Sequence, residues 1–282
     1  MPDKMIKAGV VGWPISHSRS PLIHNHWISQ LGLSGQYDAI AIEPENFDHD
    51  IRGLIADGYA GVNVTVPHKH AALDIADHVD PMARRIGAAN TLVFGDDGQI
   101  SARNTDYIGF LESLRAGAPG IDFAGMTVLV LGAGGAARAI VCGLLDAGVE
   151  GVILTNRTMA RALQLSGQLG GMIDVIPWAD RDRAVAVADL VVNTTSLGMV
   201  GSDPLDLDLS ALSESAVVTD IVYAPLETPL LAQARARGNV AVDGLGMLLH
   251  QAAPAFAAWF GVMPVVDAAL RQIIIDDLEK NG

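Results

Sequence analysis

The sequence predicts an α/β protein of two domains, and three observations support this fold class. The chain has 282 residues, which is long for a single hydrophobic core. Half of its residues are apolar, glycine is frequent and aromatic side chains are few, a balance typical of folds with many strand-to-helix turns. Short apolar runs alternate with helix-like stretches, and this alternation begins again at Met126. Such alternation favours sheets whose strands are mostly parallel.

The pattern before Met126 predicts one domain, and the pattern after it predicts another. In the first part, strands are predicted at 6–11, 37–42, 61–66, 90–94 and 99–103, and helices at 21–31, 47–57 and 68–77. In the second part, strands are predicted at 127–131, 152–155, 190–193, 217–222 and 239–242, with a helix that ends near residue 147. Two final helices, at 245–259 and 265–279, are expected to pack on the first domain. We therefore expect a domain of residues 1–107 completed by 243–282, and a domain of residues 108–242, with the boundary near 107–125.

Charge and cysteine content narrow the possible partners and location. The formal net charge of −14 argues against a nucleic-acid partner, because phosphate contacts need a basic face. The single cysteine, Cys142, allows neither a disulfide framework nor a cysteine-based metal site. The uncharged stretch 244–266 contains His250, Pro254 and Pro264, which favours two buried helices over a membrane span. With no recognisable signal peptide, we expect a cytoplasmic monomer or homodimer that acts on a small molecule.

A glycine-rich segment follows the strand at 127–131 and opens the next helix: Gly132-Ala133-Gly134-Gly135-Ala136-Ala137. The first glycine permits a tight turn, and the second lets the backbone approach a pyrophosphate at the helix N-terminus. A tight turn alone would explain the glycines, but the strand before and the helix after favour dinucleotide binding. The next strand ends in Asn156-Arg157-Thr158, where an NAD enzyme usually carries an acidic residue. An arginine with amide and hydroxyl donors beside it suits a 2′-phosphate, so NADP(H) is the predicted cofactor.

Lys69 is the only lysine in the body of a chain that otherwise uses arginine. Arginine does not release its proton at usable pH, whereas the surroundings of a lysine can tune it for proton transfer. Lys69 follows the strand at 61–66, at the end where ligands of open α/β sheets bind. Asp106, in Asn104-Thr105-Asp106, is its expected partner. Such a pair can protonate a carbonyl oxygen as hydride arrives, or accept the alcohol proton in reverse.

Ser18 and Ser20 offer hydroxyl groups at a predicted helix start. Ser20 is expected as the N-cap with Pro21 in the first helical position, and two serines there suit a carboxylate. Simple capping would explain Ser20 and leave Ser18 without a role. The pairs His24/His26 and His68/His70 do not have a metal-binding spacing, so no metal site is expected.

These motifs, taken in order, resemble the shikimate dehydrogenase family over nearly the whole chain. The segments that carry the resemblance are 12–21, 63–69, 87–91, 104–106, 132–137, 156–158, 243–248 and 251–253. The resemblance implies two α/β domains with a cleft between them and the reversible, NADP-dependent reduction of 3-dehydroshikimate to shikimate, a step toward chorismate and the aromatic amino acids.

The resemblance also assigns roles to individual residues. It implies that Ser18 and Ser20 bind the substrate carboxylate, with Tyr223 assisting, and that Lys69 and Asp106 are the catalytic pair. The residues implied to hold the ring hydroxyls are Thr65, Asn90, Asp106 and Gln251. Gly244 is implied to lie against the nicotinamide. The chain departs from the common pattern at Tyr107, where a small residue or another aromatic is frequent, and at His68, where phenylalanine often occurs.

Three other functions fit parts of the sequence. A quinate/shikimate dehydrogenase paralogue using NAD is opposed by Arg157, although the serines do not separate the two substrates. A methylenetetrahydrofolate-type dehydrogenase would have no use for the segment Ser18-Arg19-Ser20-Pro21. A non-catalytic NADPH-sensing module would have no need of a proton donor such as Lys69.

Overall fold

In the computed structural model of the protein, which describes residues 5–281 (281 by its backbone only), the first six strands form one sheet. These strands are β1 (Ile6–Gly12), β2 (Gly35–Ala41), β3 (Tyr59–Val64), β4 (His78–Val79), β5 (Thr91–Phe94) and β6 (Ile100–Arg103). Their order in the sheet is β2-β1-β3-β5-β6-β4. β1 runs parallel to β2 and β3, whereas β5 runs antiparallel to both β3 and β6.

Four helices belong to the same part of the chain: α1 (Ser20–Gln30), α2 (Phe47–Ala56), α3 (Ala71–Asp74) and α4 (Pro81–Ile86). β1 and β3 lie inside the sheet, and most of their residues are buried. One core cluster combines β1 with β3 and β5 through Val11, Val62 and Leu92, none of which is exposed. The core therefore fixes the strand ends from which residues 12–20 and 65–70 emerge.

The second sheet has six parallel strands in the order β12-β11-β10-β7-β8-β9. They are β7 (Thr127–Leu131), β8 (Gly151–Thr155), β9 (Ile173–Ile176), β10 (Leu190–Asn193), β11 (Val217–Asp220) and β12 (Val240–Val242). The accompanying helices are α5 (Asp106–Gly117), α6 (Gly135–Asp146), α7 (Met159–Leu169), α8 (Arg181–Ala184) and α9 (Pro229–Ala236). The strand order reverses between β7 and β10, and ligands of such sheets bind beyond the carboxyl ends of the strands at that point.

The chain ends in two long helices, α10 (Leu245–Phe260) and α11 (Ala268–Asn281). The described residues divide into two compact units. The first unit holds the chain up to Thr105 together with Gln251–Asp277, and the second holds Asp106–His250 with the residues from Leu278 onward. The division of α10 thus falls between His250 and Gln251.

The predicted fold class, two α/β domains of which one is Rossmann-type, is confirmed. The predicted helix at 68–77 is wrong in length, since only Ala71–Asp74 is helical and the chain then turns into β4. The segment 107–125, expected as a boundary, contains most of α5. Within the described part of the chain, no helix has the length and apolarity needed to span a membrane.

Candidate active site

Lys69 lies in the turn after β3, and backbone hydrogen bonds join this turn to the segment before β5. The Ala89 N–H donates to the Lys69 carbonyl at 2.8 Å, and the Asn90 N–H donates to the Arg103 carbonyl at 3.1 Å. The Lys69 side chain is half-buried and that of Asn90 is buried. Two predicted site residues from different strand ends are therefore neighbours.

Asn90 is the centre of a buried polar cluster. The Thr105 N–H donates to Asn90 Oδ1 at 2.8 Å, and Asn90 Nδ2 donates to Thr105 Oγ1 at 2.9 Å. Asn90 Nδ2 also donates to Gln251 Oε1 at 3.3 Å, which brings Gln251 of α10 to the same place. Asp106 follows Thr105 in the chain, begins α5 and is only 8% exposed. The cluster thus fixes the residue next to the predicted catalytic carboxylate.

His68, which precedes Lys69, has a structural role. Its ring stacks on Phe47 with the centroids 4.6 Å apart. Its Nε2 lies 2.8 Å from the carbonyl oxygen of Ile42, to which it donates if the proton is on that nitrogen. His68 therefore makes both an aromatic packing contact and a hydrogen bond that hold the Lys69 turn.

Ser18 and Ser20 lie at the start of α1, but the predicted cap is wrong. The helix begins at Ser20, the N-cap position is Arg19, and no side-chain cap hydrogen bond is made there. Instead Ser18 Oγ accepts the Ser20 N–H at 3.3 Å, so Ser18 has the local role that the sequence seemed to leave open. Arg19 is directed elsewhere, since its Nε lies 3.2 Å from Asp277 Oδ2. The arginine between the serines is therefore engaged in an ion pair.

Thr65 and the serine segment lie at the same edge of the first sheet. The Thr65 N–H donates to the Val11 carbonyl at 3.0 Å, and the Trp13 N–H donates to the Val66 carbonyl at 3.1 Å. A Cβ atom at Gly12 would lie 2.6 Å from Thr65 Cγ2, so only glycine leaves room for this side chain. The predicted substrate-binding residues of the first unit thus emerge from adjacent strand ends.

The glycine-rich segment of the second unit contains glycines of two kinds. Gly132 is buried, has a φ of 110° and would collide with Thr194 if it carried a side chain. Gly134 has a φ of −90° and, like Gly135, is exposed, with no atom within 4 Å of an added Cβ. Neither backbone strain nor internal packing explains these two glycines. Their position at the start of α6 fits the approach of a pyrophosphate to free N–H groups.

A cavity of about 330 Å³ lies in the second unit, lined by residues that follow the carboxyl ends of β8 and β10. Asn156 and Arg157 line it, as do Trp178 and Arg181, whose guanidinium carbon lies 5.1 Å from the Trp178 ring centroid. Arg181 also donates to the carbonyl of Asp206 through Nε and Nη2, at 3.0 and 2.8 Å. Arg157 is exposed at the cavity, so its charge is available to an anion. Thr158 is the N-cap residue of α7.

Asp220 ties together the ends of β10 and β11. Its carboxylate accepts hydrogen bonds from Asn193 Nδ2 at 2.9 Å, the Val222 N–H at 3.0 Å and Thr228 Oγ1 at 2.8 Å. Burial raises the pKa of Asp220, and these hydrogen bonds oppose that effect. Tyr223 follows this segment and is half-buried.

Gly244 has a packing reason to be glycine. A side chain there would collide with the backbone of Ile221 and Val222. The close approach of two backbone segments therefore explains this residue without a ligand, and it places Gly244 next to the loop that carries Tyr223.

The structure divides the predicted site residues between the two units. Residues of the first unit share one sheet edge: Ser18, Ser20, Thr65, Lys69, Asn90 and Gln251. Residues of the second unit lie at the ends of its strands and at helix starts: Asp106, Gly132 to Ala136, Asn156 to Thr158, Tyr223 and Gly244. Sequence reasoning missed Tyr37, Asn63 and Thr91 beneath the first group, and Trp178 and Arg181 beside the second. Among the described residues, no group of three or more histidine, cysteine or acidic side chains could hold a metal ion.

Comparisons with known proteins give a consistent result. Three family profiles match successive segments: the "Shikimate dehydrogenase substrate binding domain" at residues 10–92, "Shikimate / quinate 5-dehydrogenase" at 116–200 and the "Shikimate 5'-dehydrogenase C-terminal domain" at 244–274. A shikimate dehydrogenase (NADP(+)) of Paramagnetospirillum magneticum is 53% identical over 275 residues, which cover 98% of this chain and 100% of the relative.

Solved structures agree with these sequence matches. Shikimate 5-dehydrogenase of Thermus thermophilus in complex with NADP(H) and shikimate is 38% identical, with a TM-score of 0.85, covering 95% of this chain and 100% of that one. Quinate dehydrogenase of Corynebacterium glutamicum in complex with NAD is 30% identical, with a TM-score of 0.89, covering 97% and 100%.

Proposed function

Because the chain belongs to the shikimate dehydrogenase family, we propose that it catalyses the reversible, NADP(H)-dependent reduction of 3-dehydroshikimate to shikimate. The reaction is a step toward chorismate and the aromatic amino acids. The observation that carries the proposal is the clustering of Lys69, Asn90 and Gln251 at one sheet edge of the first unit, together with a glycine loop of dinucleotide-binding form in the second.

The residues of the second unit fit NADP(H). The space at Gly134 and Gly135 admits a pyrophosphate, and the free N–H groups at the start of α6 would donate to it. Arg157, with Asn156 beside it in the cavity, would hold the 2′-phosphate, and Thr158 would add a hydroxyl donor. Gly244 would lie against the nicotinamide. When bound, the cofactor supplies or accepts the hydride.

Lys69 and Asp106 would handle the proton. In the reduction, the Lys69 ammonium donates a proton to the carbonyl oxygen as hydride reaches the carbonyl carbon, giving the alcohol. In the oxidation, the neutral amine accepts the alcohol proton. The carboxylate of Asp106, which is largely buried, would orient the ammonium and bind a ring hydroxyl.

The remaining predicted residues would orient the ring. Ser18 and Ser20 would donate hydroxyl hydrogen bonds to the carboxylate, with help from Tyr223. Thr65, Asn90 and Gln251 would bind the ring hydroxyls from the same sheet edge as Lys69. Because Arg19 is paired with Asp277, hydroxyl groups rather than a guanidinium are left to bind the carboxylate.

We further propose that residues 1–107 with 243–282 form the substrate-binding domain and that residues 108–242 form the cofactor-binding domain. The protein would act in the cytoplasm as a monomer or homodimer, with small molecules and not nucleic acid as its ligands. The net charge of −14 supports the last point.

The quinate-specific and sensor alternatives are less well supported. The 53% identity to a relative named for NADP(+) exceeds the 30% identity to the quinate dehydrogenase with NAD. A sensor module would not need a lysine beside Asn90 and Gln251 at the ligand-binding edge of the sheet.

The role of Lys69 can be tested by replacing it with alanine. We expect Lys69→Ala to fold and bind NADPH but to lose turnover by about 10²–10⁴-fold, because the proton donor is gone. Lys69→Arg is the matched control, since it keeps the charge but does not release a proton at usable pH. Both variants are measured by initial rates and by NADPH fluorescence titration. Undiminished activity of Lys69→Ala would remove this residue from the mechanism, and full activity of Lys69→Arg would reduce its role to charge alone.

A further inference from the structure

A chain of hydrogen bonds between buried side chains runs beneath the candidate site of the first unit. The Tyr37 phenol donates to Asn63 Oδ1 at 2.6 Å, and Asn63 Nδ2 donates to Thr91 Oγ1 at 3.2 Å. Thr91 Oγ1 donates to Asn90 Oδ1 at 3.0 Å, and Asn90 Nδ2 donates to Gln251 Oε1 at 3.3 Å. All four hydrogen bonds thus have the same direction, from Tyr37 toward Gln251.

Backbone groups fix this direction at two points. The Asn90 carbonyl can only accept, and it lies 3.1 Å from the Asn63 amide nitrogen, so Asn63 Oδ1 faces Tyr37 and the phenol must donate. The Thr105 N–H can only donate, and it does so to Asn90 Oδ1, so the Asn90 nitrogen faces Gln251. The Thr91 hydroxyl lies between these two amides. Because it accepts from Asn63 Nδ2, its hydrogen donates to Asn90 Oδ1.

The side chains around Tyr37 exclude water from the first of these hydrogen bonds. Tyr37 is 2% exposed, Thr91 is not exposed, and the Tyr37 ring stacks on that of His24 with the centroids 4.0 Å apart. Burial raises the pKa of the Tyr37 phenol well above its usual value, and the neighbouring Ser20 hydroxyl opposes this, so the phenol remains a donor. Loss of one hydrogen bond here would leave a buried polar atom unsatisfied.

We propose that Tyr37 and Thr91 are positioning residues that, through Asn63, hold the amides of Asn90 and Gln251 in the orientation that binds the substrate ring hydroxyls. Since Gln251 Oε1 accepts from Asn90, the Gln251 amide nitrogen faces away from Asn90 and serves as the donor to a hydroxyl oxygen. The inference rests on the proposed function, because it assumes that Asn90 and Gln251 contact the substrate.

Thr91→Val and Thr91→Ser distinguish the effect of the Thr91 hydroxyl on substrate binding from the effect of the side chain's shape. Valine keeps the volume and removes the central link, whereas serine keeps the hydroxyl. Thr91→Val removes both hydrogen bonds of this hydroxyl, the one from Asn63 and the one to Asn90. We expect it to raise the KM for shikimate about tenfold, with a smaller change in kcat and none in the KM for NADP. Thr91→Ser should retain a KM for shikimate within about twofold of the wild type.

Tyr37→Phe removes the first hydrogen bond of the series and should also raise the KM for shikimate several-fold. Its matched control is Tyr59→Phe. The Tyr59 phenol donates to Asp38 at 3.1 Å and takes no part in the series of hydrogen bonds from Tyr37 to Gln251. Tyr59→Phe should leave both KM values unchanged. A melting curve for each variant establishes that it is folded.

The outcomes separate this inference from the proposed function. Wild-type protein that turns over shikimate, with Thr91→Val and Tyr37→Phe showing an unchanged KM, would overturn the inference alone. An equal loss in Thr91→Ser and Thr91→Val would also overturn it, because shape and not the hydroxyl would then matter. Wild-type protein without shikimate turnover would overturn the proposed function, and the inference with it.

Discussion

Replacing His24 should change how the stability of the protein depends on pH. His24 is fully buried in α1, and neither of its ring nitrogens has a hydrogen-bond partner. Its neighbours are aromatic, with Tyr37 stacked on it, Trp27 edge-on and Phe256 5.9 Å away. Burial is the largest influence on this ring and lowers the pKa of His24 to about 3. The folded protein therefore keeps this ring neutral in mildly acidic solution.

The size of the effect follows from the two pKa values. In the unfolded chain the ring binds a proton below about pH 6.5, whereas in the folded protein it does so only near pH 3. Stability is therefore retained above pH 6.5 and is lost as the pH falls toward 3, at up to about 1.4 kcal/mol per pH unit. Between pH 7.5 and 4.5, His24 alone should lower the free energy of unfolding by about 2.7 kcal/mol.

His24→Phe keeps a stacking ring and removes the titratable group. We would measure urea unfolding of both proteins by tryptophan fluorescence at half-unit steps between pH 7.5 and 4.5. Subtracting the two curves cancels the carboxyl groups, which are common to both. The wild type should lose about 2–3 kcal/mol more than the variant over this range. Parallel curves would show that His24 accepts a proton in the folded state, which would refute the reasoning.

The remaining predictions concern the cofactor site. Arg157→Ala should raise the KM for NADP by about 10–100-fold, the range for a lost charged hydrogen bond, and barely affect NAD; an equal loss for both cofactors would contradict the 2′-phosphate assignment. Gly132→Ala should destabilise the protein, because its φ is 110° and Thr194 occupies the space, as a lower melting temperature would show. Gly134→Ala should leave the melting temperature nearly unchanged but raise the KM for NADP; normal NADP binding would mean that this glycine does not adjoin the pyrophosphate.

The elements that the sequence predicted best are those whose signal is local. β7 and β10 are enclosed on both faces, so each appears in the sequence as a mainly apolar run. The predicted bounds of both strands are the same as the observed ones. The predicted bounds of the segment from Gly132 to the end of α6 agree with the structure within one residue. The residues that determine the turn, the helix start and the apolar face are all close together in the sequence.

The elements that were missed depend on contacts between distant residues. The segment 68–77 has a helix-like composition, and its middle makes local turn and helix hydrogen bonds. Near its two ends, however, the Lys69 carbonyl accepts from the Ala89 N–H and the Asp77 N–H donates to the Ile100 carbonyl, so the helix is limited to Ala71–Asp74. The strand pattern around Tyr37 predicts only that its side chain is buried, as for any aromatic residue of a core. Nothing near it in the sequence shows that its hydroxyl meets Asn63, 26 residues away. The N-cap prediction at Ser20 failed for a smaller reason, since Ser18 satisfies the first N–H group instead.

The central claim is that the chain oxidises shikimate with NADP, and initial rates test it most directly. Purified protein would be offered shikimate or quinate, each with NADP or NAD, and formation of the reduced nicotinamide followed by absorbance. We predict turnover chiefly with shikimate and NADP. Turnover chiefly with quinate and NAD would contradict the assignment of substrate and cofactor, and folded protein inactive with all four pairs would contradict the claim that it is a shikimate dehydrogenase.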